Sequence, residues 1–114
     1  MQWIKFSKHN LPPQGLKIIC FKQGDLWVAR RFAYKGKSIY VEIPYGGKNG
    51  SFRTDTPQYW MRLDLPEGYS GYMKIGIEGS EPMTFDELQD KHPQDHEEFI
   101  TMLLTSMKSP MPGH

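Results

Sequence analysis

The chain of 114 residues predicts an α+β fold: a small antiparallel β barrel or rolled sheet, followed by one further strand and two C-terminal helices. Three observations carry this. Short apolar runs with turn signals between them fill residues 1–66, the signature of a small all-β unit. The densest of these runs, Thr56–Pro66, contains Trp60 and ends it. Beyond Pro66 the pattern changes to capped segments of helical period. The reading is therefore a β domain over 1–66 and a strand–helix–helix extension over 67–114 that packs on it as one structural unit. A core built around Trp3, Trp27 and Trp60 suits a chain whose aromatic content of 13% offsets its modest 38% hydrophobic content.

Trp3–Phe6 opens the chain with strand-type residues. Leu11–Gly15 stops that strand, because Pro12 and Pro13 lack backbone donors and Gly15 allows a turn. Leu16–Phe21 reads as a strand buried on both faces, and Gln23–Gly24–Asp25 turns it into Leu26–Phe32, the clearest hairpin in the chain. Tyr34–Lys37 is a second turn, leading to the alternating Ser38–Ile43. Tyr45–Ser51 reads as a loop, and Phe52–Thr54 as a short strand before Pro57. Tyr59–Leu63 completes the β unit, and Tyr72–Ile77 supplies the further strand. The first helix opens at Met83 with Thr84 and Glu87 in capping-box spacing. His92–Pro93 interrupts it, and Pro93 with Asp95, Glu97 and Glu98 favours a new helix start. Phe99, Ile100, Leu103, Leu104 and Met107 then form one apolar helical face.

Charge is divided unevenly. Residues 1–63 hold eleven Lys/Arg against three acids, about +8; residues 64–114 hold three against ten, about −7; the two sum to the net +1. Such asymmetry marks two different surfaces. The expectation for the basic half is a nucleic-acid site of Arg30, Arg31, Lys35, Lys37, Lys48 and Arg53 interleaved with Trp27, Phe32, Tyr34, Tyr40, Tyr45 and Phe52. Cations neutralise phosphates and rings stack on bases. For the acidic half it is a partner-binding set of Glu87, Asp95, Glu97 and Glu98.

No grouping points to catalysis. Tyr45–Ser51 resembles a phosphate-cradling loop only in composition, since its flanks are extended and a phosphate loop must run into a helix. Pro93 biases His92 out of the helical conformation that a His92/His96 metal pair needs. No nucleophile stands beside a base. The reading is a non-enzyme without cofactor or metal. The lone Cys20 lies in an apolar strand as a buried thiol. No segment reads as a signal peptide or membrane span, so a cytoplasmic setting is expected.

Trp3–Ile4, Leu11–Gly15, Ile18–Phe21 and Tyr59–Pro66 resemble the anchors of the domain of unknown function family numbered five hundred and fifty-one, common in phages and prophages. The likeness spans residues 2–66. Its closing motif runs His-Trp-Met-Pro-Leu-Pro, and here Tyr59 stands in place of His and Arg62 in place of Pro. The resemblance implies a phage or prophage accessory protein and brings no catalytic residue. The expected function is non-enzymatic binding of a host protein, acting on host defence or metabolism. The alternative is a small nucleic-acid-binding β module using residues 30–53.

Overall fold

The computed structural model describes residues 2–42, 51–53 and 55–108, with the side chains of 51–53, 107 and 108 left aside. Among these residues, eight strands and two helices follow in the order β1 (Ile4–Lys5), β2 (Lys17–Lys22), β3 (Asp25–Tyr34), β4 (Lys37–Glu42), β5 (Ser51–Arg53), β6 (Tyr59–Arg62), β7 (Lys74–Ile75), β8 (Met83–Thr84), α1 (Phe85–Lys91) and α2 (Pro93–Lys108). The first six form one antiparallel sheet in the order β1-β6-β2-β3-β4-β5. It is α+β, but the sheet is open: β1 and β5 stand at opposite edges and do not pair, so the expected barrel is not formed. The single further strand over 72–77 is also corrected. Tyr72 makes an isolated bridge to Leu16, and Lys74–Ile75 pairs with Met83–Thr84 in a separate two-stranded sheet.

The two central hairpins follow from their turns. Gln23 (φ 50°) with Gly24 (φ 83°), and Lys35 (φ 50°) with Gly36 (φ 78°), place two successive residues at positive φ. That backbone matches the right-handed twist of the flanking strands, and it fixes the pairs Lys22–Asp25 and Tyr34–Lys37.

Those registers sort every side chain to one of two faces, because paired residues share a face and neighbours alternate. One face carries Ile18, Cys20, Trp27, Ala29, Tyr40 and Trp60, all buried, in a cluster with Leu16. The segment after β1 crosses over it. Trp60 Nε1 donates to Asn10 O at 2.9 Å, Arg31 Nε donates to Pro12 O at 2.7 Å, and Pro12 and Pro57 are fully buried. Two tryptophans thus centre this core as expected, whereas Trp3 is displaced to the other face: its strand pairs Ile4, not Trp3, with Trp60.

The second face is covered over half its width. Phe32, Ile39 and Val41 pack with Met83, Phe85, Leu88, Ile100 and Leu104, and the Phe32 and Phe85 rings meet edge-on at 4.9 Å. The apolar stripe of α2 therefore joins the extension to the sheet in one core. Thr84 caps α1 as its spacing predicts, accepting from Glu87 N while Glu87 reaches back to Thr84 N, and α2 begins at Pro93.

Candidate functional site

Among the described residues, neither helix reaches the other half of that second face. Register assigns to it Lys5 from β1, Tyr59 and Met61 from β6, Lys17, Ile19 and Phe21 from β2, and Leu26, Val28 and Arg30 from β3. Trp3, just before β1, alternates onto the same side. These positions hold three cations and no acid.

At the hairpin end, Trp3, Phe21, Leu26 and Tyr59 surround a shallow apolar cleft of about 360 Å³. Trp3 is 41% exposed, Leu26 59% and Tyr59 38%. The Phe21 ring lies 6.0 Å from Trp3 and 6.2 Å from Tyr59, both at 59°, so the three rings hold one another in place. Large apolar side chains left together in water mark an interaction surface, and aromatic side chains dominate the energetics of such surfaces.

The residues expected to bind nucleic acid do not come together. Arg31 is buried, with Nε on Pro12 O and Nη1 on Ser38 Oγ at 3.0 Å. Arg30 donates through Nη1 to the carbonyls of Gly15 and Gly71. Both guanidiniums thus act as struts between β3 and neighbouring loops. Lys35 sits in the hairpin turn, its Nζ 5.3 Å from the Tyr34 ring centre, and Lys37 is exposed beside it. Lys48 lies outside the described residues; Arg53 is on β5. Of the aromatics assigned to this site, Trp27, Phe32 and Tyr40 are core residues, not stacking platforms. Burial pushes the Tyr40 phenol up to about 12.

The acidic set separates as well. Glu87 is occupied with the α1 cap, and its carboxyl is held below the usual range by the Thr84 hydrogen bonds. Asp95 lies 3.9 Å from His92 Nδ1, and Glu97 and Glu98 are exposed on α2, on the covered half of the molecule.

One polar centre was not foreseen. Gln14 is buried, and its Nε2 donates to Asp86 Oδ1 at 2.9 Å and to Gln89 Oε1 at 2.8 Å. Its Oε1 accepts from Ala33 N at 2.9 Å and lies 2.8 Å from His96 Nε2. With that oxygen fixed as acceptor, His96 donates to it through Nε2–H. Burial lowers the His96 pKa, in keeping with a neutral ring. This histidine links α2 to the loop before β2 through its Nε2 proton.

No family model, curated protein or solved structure matches the chain. No helix among the described residues is long and apolar enough to cross a membrane.

Proposed function

We propose that the chain is a non-catalytic binding module that docks a partner protein on the open half of its sheet. The observation that supports this is the cluster of exposed Trp3, Leu26 and Tyr59 around half-buried Phe21, beside Lys5. An apolar side chain of the partner fills the cleft, and the acid-free rim selects an acidic surface around it. The resemblance of residues 2–66 to a phage accessory family makes a host protein the partner in this reading, with host defence or metabolism as its field of action. The nucleic-acid alternative is less well supported, since Arg31 is buried on Pro12 O and Ser38 Oγ, and Trp27, Phe32 and Tyr40 are core residues.

The test is affinity capture from bacterial lysate with the wild-type protein and with Trp3→Ala/Tyr59→Ala and Leu26→Asp variants. A protein retained by the wild type and lost by both folded variants is the expected result. Equal retention by all three overturns the reading. Binding of a single-stranded oligonucleotide at low salt, where electrostatic affinity is greatest, would replace it with the alternative.

A further inference from the structure

The same sheet face ends in a second and larger cleft, about 700 Å³, between the β2–β3 pair and the loop from Leu65 to Tyr72. Like the apolar cleft, it is shallow and open to solvent. Its floor is cationic. Lys17 and Arg30 are directly opposed across β2 and β3, and like charges facing each other weaken a sheet. No carboxylate lines the cleft to offset them, and among the described residues Lys17 makes no ion pair.

Arg30 is already oriented. Its Nη1 is anchored on the carbonyls of Gly15 and Gly71, which leaves the Nε and Nη2 hydrogens of a rigid planar fork to be satisfied. Burial pushes this guanidinium below its ordinary value, with no acid beside it to compensate. Tyr69, on the cleft wall, is 73% exposed and makes no ring contact among the described residues; Tyr72 lines the cleft nearby.

We propose that this cleft binds a mononucleotide-like ligand, its phosphate held between Lys17 and Arg30 and its planar ring stacked on Tyr69. The phosphate supplies the anion that two opposed cations lack, and an anchored guanidinium loses little freedom in binding it. A ring stacked on an exposed tyrosine is sequence-tolerant, so base identity contributes little. The site is separate from the apolar cleft of Trp3 and Tyr59 and stands without the protein-docking reading.

Titration of the ¹⁵N-labelled full chain with AMP, with adenosine and with inorganic phosphate tests it. AMP is expected to shift the amides of Lys17, Gly71 and Tyr72 saturably, with affinity reduced by salt. Inorganic phosphate should shift the same amides but bind more weakly, and adenosine more weakly still. Lys17→Met should weaken AMP about tenfold, the loss expected of one charge-assisted bond, while its spectrum shows the fold retained. Tyr69→Ala, at an exposed position, should weaken AMP but leave inorganic phosphate unchanged. The Trp3→Ala/Tyr59→Ala protein should bind AMP as the wild type does. The proposal is overturned if millimolar AMP leaves these amides in place, if adenosine binds as well as AMP, if inorganic phosphate matches AMP, or if Lys17→Met has no effect.

Discussion

The two halves of one sheet face are built from the same kinds of residue and end differently. On β3 and β4, Phe32, Ile39 and Val41 lie under α1 and α2 and are buried. Just before β1, on β6 and at the start of β3, Trp3, Tyr59 and Leu26 remain in water. Hydrophobicity does not separate them; the reach of the helical layer does. α2 runs 16 residues, roughly 24 Å at 1.5 Å per residue. It packs against β3 and β5, on the half of the sheet away from β1, β6 and β2. Apolar side chains beyond the helix are thereby released from packing and free to serve binding.

Substitutions should separate the halves sharply. Phe32→Ala, under the helices, is expected to cost about 3–5 kcal/mol, and Trp60→Ala on the opposite face a similar amount, both read from urea denaturation. Either value below about 1 kcal/mol would mean that the side chain is not enclosed as described. Tyr59→Ala, on the open half, is expected to cost no more than about 1 kcal/mol while abolishing capture of the partner. A cost equal to that of Phe32→Ala would show that the patch is structural.

Gly15 sharpens the boundary between the halves. It has φ 75°, and a Cβ there would stand 3.0 Å from Phe85 Cδ2 and 3.4 Å from Met73 O. Gly15→Ala is expected to destabilise by about 1–3 kcal/mol through backbone strain and displacement of α1. Gly36→Ala has the same kind of φ but meets nothing within 4 Å, so it should show the strain alone and cost less.

Acid should loosen the covered half first. The folded His96 pKa lies below the ordinary 6.5, so the unfolded chain takes up that proton at higher pH. Stability is then full above about pH 6.5 and declines as pH falls from there toward the folded value. Glu87, lowered from 4.5, adds a loss of the same sign further down. His96→Gln keeps a donor toward Gln14 and should flatten the upper part of this profile in thermal melts at stepped pH. An unchanged profile would show that another group carries it. Thr84→Ala is expected to cost about 1 kcal/mol from loss of the α1 cap.

The hairpins, the cap, the helix starts and the buried Cys20 were legible because each depends on neighbours in sequence. Gln23–Gly24 fixes its own register, and Thr84 and Glu87 answer each other three residues apart. Sheet closure was not legible, because whether the edge strands meet depends on curvature accumulated over all six strands. Nor was the open face. Phe21 and Leu26 can be paired across the turn from sequence, but β2 is apolar on both sides, and nothing local says which side the helices cover. The surroundings of the two arginines were not legible for a related reason. Arg30 and Arg31 look like a basic patch until Gly15, Gly71 and Pro12 present their carbonyls from distant loops.

The placement of the three tryptophans makes the protein its own optical instrument. Trp27 and Trp60 are enclosed on one side of the sheet, and Trp3 stands on the other, within the proposed docking surface. Acrylamide should therefore quench one emitter readily and two with difficulty, giving a curved quenching plot. A bound partner would straighten that plot by shielding Trp3, without the red shift that accompanies unfolding. Docking and denaturation can thus be followed separately in one unlabelled sample.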